Sequence, residues 1–230
     1  LSTNTITGLI QRVSTPVLCE LQNNHELMRK TLMKFIISTA HIIFPIMCLI
    51  FVLSDSIVIL LLTEKWLKTS LILKILCPVG MLFVVNTFNM NVFNATGRTD
   101  LALKNEIYKK IFFVMILIIS VRFGFIYLVA SQIVIGVLEF FFNTFYTKLQ
   151  IKLSPISQIV ALKGIFLSSI SMALSVFYIS IQFEDHFLKI LIGSFFGFLL
   201  YFCLCWFFDV VYFKLLVKTI YNRIIFHKRK

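Results

Sequence analysis

The sequence predicts an all-α, polytopic membrane protein with about six transmembrane helices, and three observations carry that reading. First, 59% of its 230 residues are hydrophobic and the mean hydropathy is +0.95, too apolar for a water-soluble domain. Second, only 14% of the residues are charged, and 26 Phe, 7 Tyr and 2 Trp exceed what the interior of a domain this size can cover, so lipid must cover the rest. Third, most of the basic residues fall between long apolar runs.

A helix crossing ~30 Å of hydrocarbon at 1.5 Å per residue needs about 20 mostly apolar residues, and six segments satisfy that ruler. Residues 1–34 read as a cytoplasmic amphipathic loop, or the end of a preceding helix cut short. The chain starts at Leu1 in mid-pattern, without an initiator Met or a signal-peptide n-region. Residues 35–217 form the six-span lobe, and residues 218–230 form a basic cytoplasmic tail.

The first span is Phe35 to Leu53, ended by Ser54 and Asp55 and followed by Ile57 to Leu62, too short to cross alone. The second is Leu71 to Ala95. Pro45 and Pro78 predict kinks or broken turns within these two. Ile111 to Tyr146 is a single apolar tract of 36 residues, ~54 Å as one helix, so it must fold back. The turn belongs at Arg122-Phe123-Gly124, where Gly can take the required backbone angles. That places the third span at about Ile107 to Val121 and the fourth at about Gly124 to Tyr146. The fifth lies within Ile156 to Phe183 and the sixth within Phe187 to Val217.

Six alternating spans sort the basic residues sharply. Of the 22 Lys and Arg, 17 fall on one side and 5 on the other, the latter being Lys65, Lys68, Lys74, Arg122 and Lys189. The positive-inside rule makes the richer side cytoplasmic, with both ends of the chain there. In a soluble protein the formal charge of +12 would suggest nucleic acid as a partner. Here the charge sets topology beside anionic membrane lipids, and no nucleic acid is expected.

Little in the chain suggests catalysis. Five Cys are an odd number, mostly inside apolar runs, as buried small hydrophobes and not a disulfide framework. Cys203 and Cys205 have no second ligand pair nearby, so neither metal nor cofactor is expected. There is no Ser/His/Asp set, Gly-rich phosphate loop or paired carboxylates, and the chain does not read as an enzyme.

Ionisable groups within spans are costly, which marks Glu139 in the fourth span and Asp209 in the sixth as ion-coupling candidates. Each carboxylate has a plainer role open to it, an inter-helix partner for Glu139 and a headgroup contact for Asp209. Lys163, two turns into the fifth span, has a stem long enough to reach headgroups. The second span carries Asn86, Asn89, Asn91 and Asn94. At 100° per residue, Asn86, Asn89 and Asn94 fall within about 140° of arc, a stripe turned from lipid. It lines a substrate path or binds helices together by amide hydrogen bonds. Gly193 and Gly197, four apart, predict close packing within the lobe, and His41 predicts a satisfied helix–helix contact.

Three stretches resemble the polysaccharide flippase family, the O-antigen and exopolysaccharide exporters of the multidrug/oligosaccharidyl-lipid/polysaccharide exporter superfamily. They are Pro16 to Asn23 followed by Met28-Arg29-Lys30; Leu62-Thr63-Glu64-Lys65-Trp66, where Thr63 replaces the family's usual Gly; and Phe93 to Leu101, similar to the family's Asn-Ala-x-Gly-Arg-x-Asp loop. The matches cover the first hundred residues in the family's order. The resemblance implies a carboxyl-terminal part, one lobe of a two-lobed exporter whose amino-terminal lobe lies outside this chain. It further implies alternating access for a polyprenyl-pyrophosphate-linked oligosaccharide. On that reading Asn86, Asn89 and Asn94 are candidates for sugar contact, and Lys74, Arg122 and Lys163 for pyrophosphate. A drug/cation antiporter of the same superfamily would instead use Glu139 and Asp209. A membrane polysaccharide polymerase or ligase would need a large periplasmic loop, and the loops here are short.

Overall fold

The computed structural model describes residues 12 and 14–207. A short helical stretch at 14–20 leads into six long helices: α1 His25–Leu62, α2 Leu67–Ala95, α3 Thr99–Val121, α4 Phe125–Ile151, α5 Pro155–Ile181 and α6 His186–Phe207. The fold is all-helical, as expected. Five of the six are long and apolar enough to cross a membrane. α3 is the exception because Lys104, Glu106, Lys109 and Lys110 occupy its first half, leaving Ile111 to Val121 as its apolar part.

The first span differs from its expected form. Ser54 and Asp55 do not end it, and α1 runs unbroken for 38 residues from His25 to Leu62, through Pro45. That is ~57 Å, well over a hydrocarbon thickness. The physical reason lies across the bundle: Asp55 is ion-paired to Lys74 of α2 at 2.8 Å, so the helix tolerates its charge. The other excess length lies at the start, where Asn24 caps the helix by accepting from Leu27 N at 3.0 Å and Glu26 pairs with Lys30 on an exposed face. α2 likewise continues through Pro78. Neither proline breaks its helix, in keeping with the tolerance of spanning helices for proline.

The α3–α4 reversal falls at Arg122-Phe123-Gly124, with Gly124 at φ 108°. This is the residue at which the long apolar tract folds back. α4 closes on Lys152 in the left-handed conformation, and Ser154 caps α5 by accepting from Ser157 N, with Pro155 opening the helix. The asparagine-rich loop turns at Gly97, φ 66°, before Arg98.

α1 is the hub: it packs on α2, α5 and α6, while α4 packs on α2 and carries α3 outside it. The core runs through Leu32, Ile36, Ala40, Leu49 and Leu53 of α1 to Val85 and Val92 of α2 and Ile165, Met172 and Val176 of α5. The two spaced glycines pack α6 inside the lobe, as expected. A Cβ on Gly197 would stand 2.7 Å from Val176 Cγ2, and one on Gly193 would stand 3.1 Å from Val176 Cγ1. His41 Nδ1 lies 3.0 Å from the Tyr201 hydroxyl, joining α1 to α6. All five cysteines are free, and Cys48, Cys77 and Cys205 are buried. Large apolar side chains such as Ile118, Phe125, Leu174 and Phe195 point outward, a surface suited to lipid.

Candidate functional site

Alternation of the helices sorts the bundle into two ends: a basic end, at the starts of α1, α3 and α5, and an opposite end, at the starts of α2, α4 and α6. The candidate site residues divide between the helix seams and the open surfaces.

Three of the four second-span asparagines are buried and bonded. Asn86 Nδ2 donates to the Gly136 carbonyl of α4 at 3.1 Å, Asn89 exchanges two hydrogen bonds with Gln158 of α5, and Asn91 Nδ2 donates to Ser14 Oγ at 2.8 Å. Each reaches a different neighbour, so the amides act as fasteners around α2 and not as one stripe. Asn94 is exposed at the basic end beside Gly97.

The basic candidates are scattered. Lys74 is held by Asp55 toward the opposite end, Arg122 is exposed in the turn of that end, and Lys163 is exposed two turns into α5 from the basic end. Lys163 lines an open groove of about 570 Å³. Its other walls are apolar: Phe44 of α1, Pro78, Met81 and Val85 of α2, Val137 and Phe140 of α4, and Phe166 of α5. The groove exists because α4 and α5 barely touch, each resting instead on the inner pair.

Glu139 lies near the middle of α4, facing a narrow crevice shared with Lys109, Phe112 and Phe142. Lys109 is buried and ion-paired with Glu106 one turn back, and among the described residues no cation lies within 4 Å of Glu139. Asp209 lies outside the described residues.

Sequence reasoning missed Glu106, Lys109 and Gln158. The polar start of α3 has the hydropathy of a loop, and Gln158 lies three residues after Pro155, which opens α5. The signal that could have found them is the spacing of polar residues on α4, at Glu139, Asn143, Thr147 and Gln150.

In the loop after α2, Arg98 bonds Asp100 through two nitrogens at 3.1 and 3.2 Å. The guanidinium holds the Asp100 carboxyl below the ordinary aspartate range. The Gly-Arg-x-Asp motif is thereby a turn plus a local ion pair that starts α3. Among the described residues no three His, Cys, Asp or Glu side chains are grouped to hold a metal ion.

The described residues form a six-helix antiparallel bundle with an apolar exterior, short loops and polar seams, which defines a polytopic membrane protein. Its backbone matches that of "Lipid II flippase MurJ, inward closed conformation", with a TM-score of 0.71 and 21% identity, covering 91% of this chain and 45% of that one. Residues 1–71 match a family described as polysaccharide biosynthesis protein. The chain is 29% identical over 112 residues to the lipopolysaccharide biosynthesis protein WzxC of Escherichia coli (strain K12), 49% of this chain and 23% of that protein. It is 26% identical over 183 residues to the teichuronic acid biosynthesis protein TuaB of Bacillus subtilis (strain 168), 79% of this chain and 38% of that protein. These matches bear out the resemblance read from the three loop motifs, with the family match lying in residues 1–71. The chain spans less than half the length of each relative it matches.

Proposed function

We propose that this chain is one lobe of a two-lobed exporter that carries a polyprenyl-pyrophosphate-linked oligosaccharide across the bacterial inner membrane by alternating access. The observation that carries the proposal is the extent of the backbone match: nearly all of this chain superposes on a flippase, yet it accounts for under half of it. A second lobe outside this chain completes the cavity. The basic end of the bundle is cytoplasmic in this reading, because the excess of Lys and Arg gathers there.

The transport problem is to move sugars and two phosphates through hydrocarbon, where unpaired charge costs many kcal/mol. Of the candidate residues, Lys163 is the best placed to meet a phosphate, since its ammonium borders an apolar groove long enough to take part of an isoprenoid chain. Exposed Asn94 and Arg122 are available to substrate at the two ends. Asn86, Asn89 and Lys74 are committed to helix contacts and shape the lobe. The chain transports and does not catalyse. The antiporter alternative of the same superfamily finds its support in Glu139 alone, a carboxylate on a crevice.

The test measures surface polysaccharide in the strain that carries the full-length protein. Lys163→Glu should leave protein level normal while surface glycan falls and lipid-linked oligosaccharide accumulates on the inner leaflet. Normal glycan in that strain would remove Lys163 from the pathway. Glycan unaffected by deleting the whole protein would sink the export reading.

A further inference from the structure

We propose that a file of internal water runs along α4 from the basic end of the bundle to Glu139 and delivers protons to that carboxylate. This deepens the transport reading, and rests on it, by naming the proton as the coupling ion.

On α4, Gly136, Glu139, Asn143, Thr147 and Gln150 recur every three or four residues and fall within about 80° of arc at 100° per residue. Three of them bury a polar atom that has no protein partner: Asn143 Nδ2, Thr147 Oγ1 and Gln150 Nε2. A fourth such atom, Asn105 Oδ1, enters from α3, whose Asn105 Nδ2 donates to Asn143 Oδ1 at 2.7 Å. Asn105 and Thr147 are fully buried and Asn143 is 1% exposed. Proteins satisfy atoms of this kind, and where no protein group is at hand a bound water does so. Two donors, a hydroxyl and an acceptor at successive turns give that water partners at each step.

The stripe also has two open ends. Gln150 lines a polar hollow of about 510 Å³ at the basic end, together with Gln22, Asn23, His25, Thr96 and Arg98. Glu139 lines the crevice at the other end. Eleven residues of helix separate them, ~16 Å, about half the hydrocarbon thickness.

The charges around Glu139 explain why a proton is what it needs. From α3, Lys109 is paired with Glu106, and Lys110 lies 5.5 Å over the Phe113 ring. From α2 comes the thioether of Met90, within 3.7 Å of Lys109 Nζ, and no titratable group. Glu139 is therefore the seam's carboxylate without an ion-pair partner. A hydronium of the file transfers one proton to the Glu139 carboxylate, forming a neutral carboxyl and leaving water, and the reverse step returns it. Neutralising the side chain lets the α3–α4 seam repack during the transport cycle.

The test is infrared spectroscopy of the full-length protein in lipid bilayers, which does not depend on glycan transport and so fails or succeeds separately from the export reading. Acid titration should produce a protonated-carboxyl band that shifts on transfer to heavy water and is missing in Glu139→Gln. Thr147→Val should slow the heavy-water shift about tenfold or more, with Gln150→Leu at the mouth doing the same should the first variant fold poorly. Thr147→Ser should keep the shift fast. A band that exchanges at the same rate in all variants, or no band removed by Glu139→Gln, overturns the water file. A titration displaced by sodium but not by potassium overturns the proton in favour of a bound sodium ion.

Discussion

The side-chain amides of Asn89 on α2 and Gln158 on α5 are bonded to each other twice, Asn89 Nδ2 to Gln158 Oε1 at 2.9 Å and Gln158 Nε2 to Asn89 Oδ1 at 3.0 Å, with neither residue exposed. Such a reciprocal pair fixes both the rotation and the depth of α5 against α2, since slippage would strand donors and acceptors away from water. Asn89→Leu is expected to destabilise the protein by ~1–3 kcal/mol because it leaves the Gln158 amide buried and unpaired. Adding Gln158→Leu should recover most of the loss. Thermal unfolding of the full-length protein in detergent measures both, and a double variant no more stable than the single would show that the pair is not the source.

Thr63 joins α1 to the short turn Glu64–Trp66 at φ 84°, ψ 165°, a backbone region that suits only glycine. The family motif that this stretch resembles has Gly at this position. Thr63→Gly should therefore stabilise the protein by ~1 kcal/mol, the relief of strain exceeding the added freedom of the unfolded chain. An unchanged or lower unfolding temperature would contradict it.

Gly197 sits where α6 crosses Val176 of α5 and Leu49 of α1. Gly197→Ala is expected to cost ~1–3 kcal/mol through overpacking, and Gly193→Ala, with a looser 3.1 Å approach, should cost less. Pairing Gly197→Ala with Val176→Ala should restore part of the stability. If the two glycine variants proved equally benign, α6 would not be seated as described.

Lys74 and Asp55 form an ion pair with side chains 30% and 50% exposed. Partial exposure limits the pair to about 1 kcal/mol or less, so Lys74→Ala should shift stability only slightly. Surface glycan should stay near normal as well, because Asp55 already occupies the ammonium. A large fall in glycan at normal protein level would return Lys74 to the substrate path.

Topology offers a separate check. A cysteine placed at Glu184, in the exposed loop between α5 and α6, should react with an impermeant reagent from the periplasm, while one at Lys152 should react only after the membrane is opened. The reverse pattern would invert the lobe.

Much of this protein is legible along its chain because the relevant physics is local. The bilayer sets a fixed length for apolar runs, loops collect positive charge on one side, and Gly124 offers a backbone suited to reversing a tract too long to cross once. Those features yield an all-helical membrane bundle, its reversals and, through three loop motifs, the family it resembles. What the chain could not announce are the relationships between helices that are neighbours only in space. Asp55 reads as a helix end until Lys74 stands beside it, nineteen residues on. The asparagines of α2 read as one stripe until each is seen reaching a different helix. The ion pair of Glu106 and Lys109 gains its place in the bundle only when α4 brings Glu139 to the same crevice. The reason is that a polar group's role in hydrocarbon depends on its partner, and partners separated by up to 160 positions are chosen by helix packing and not by sequence spacing.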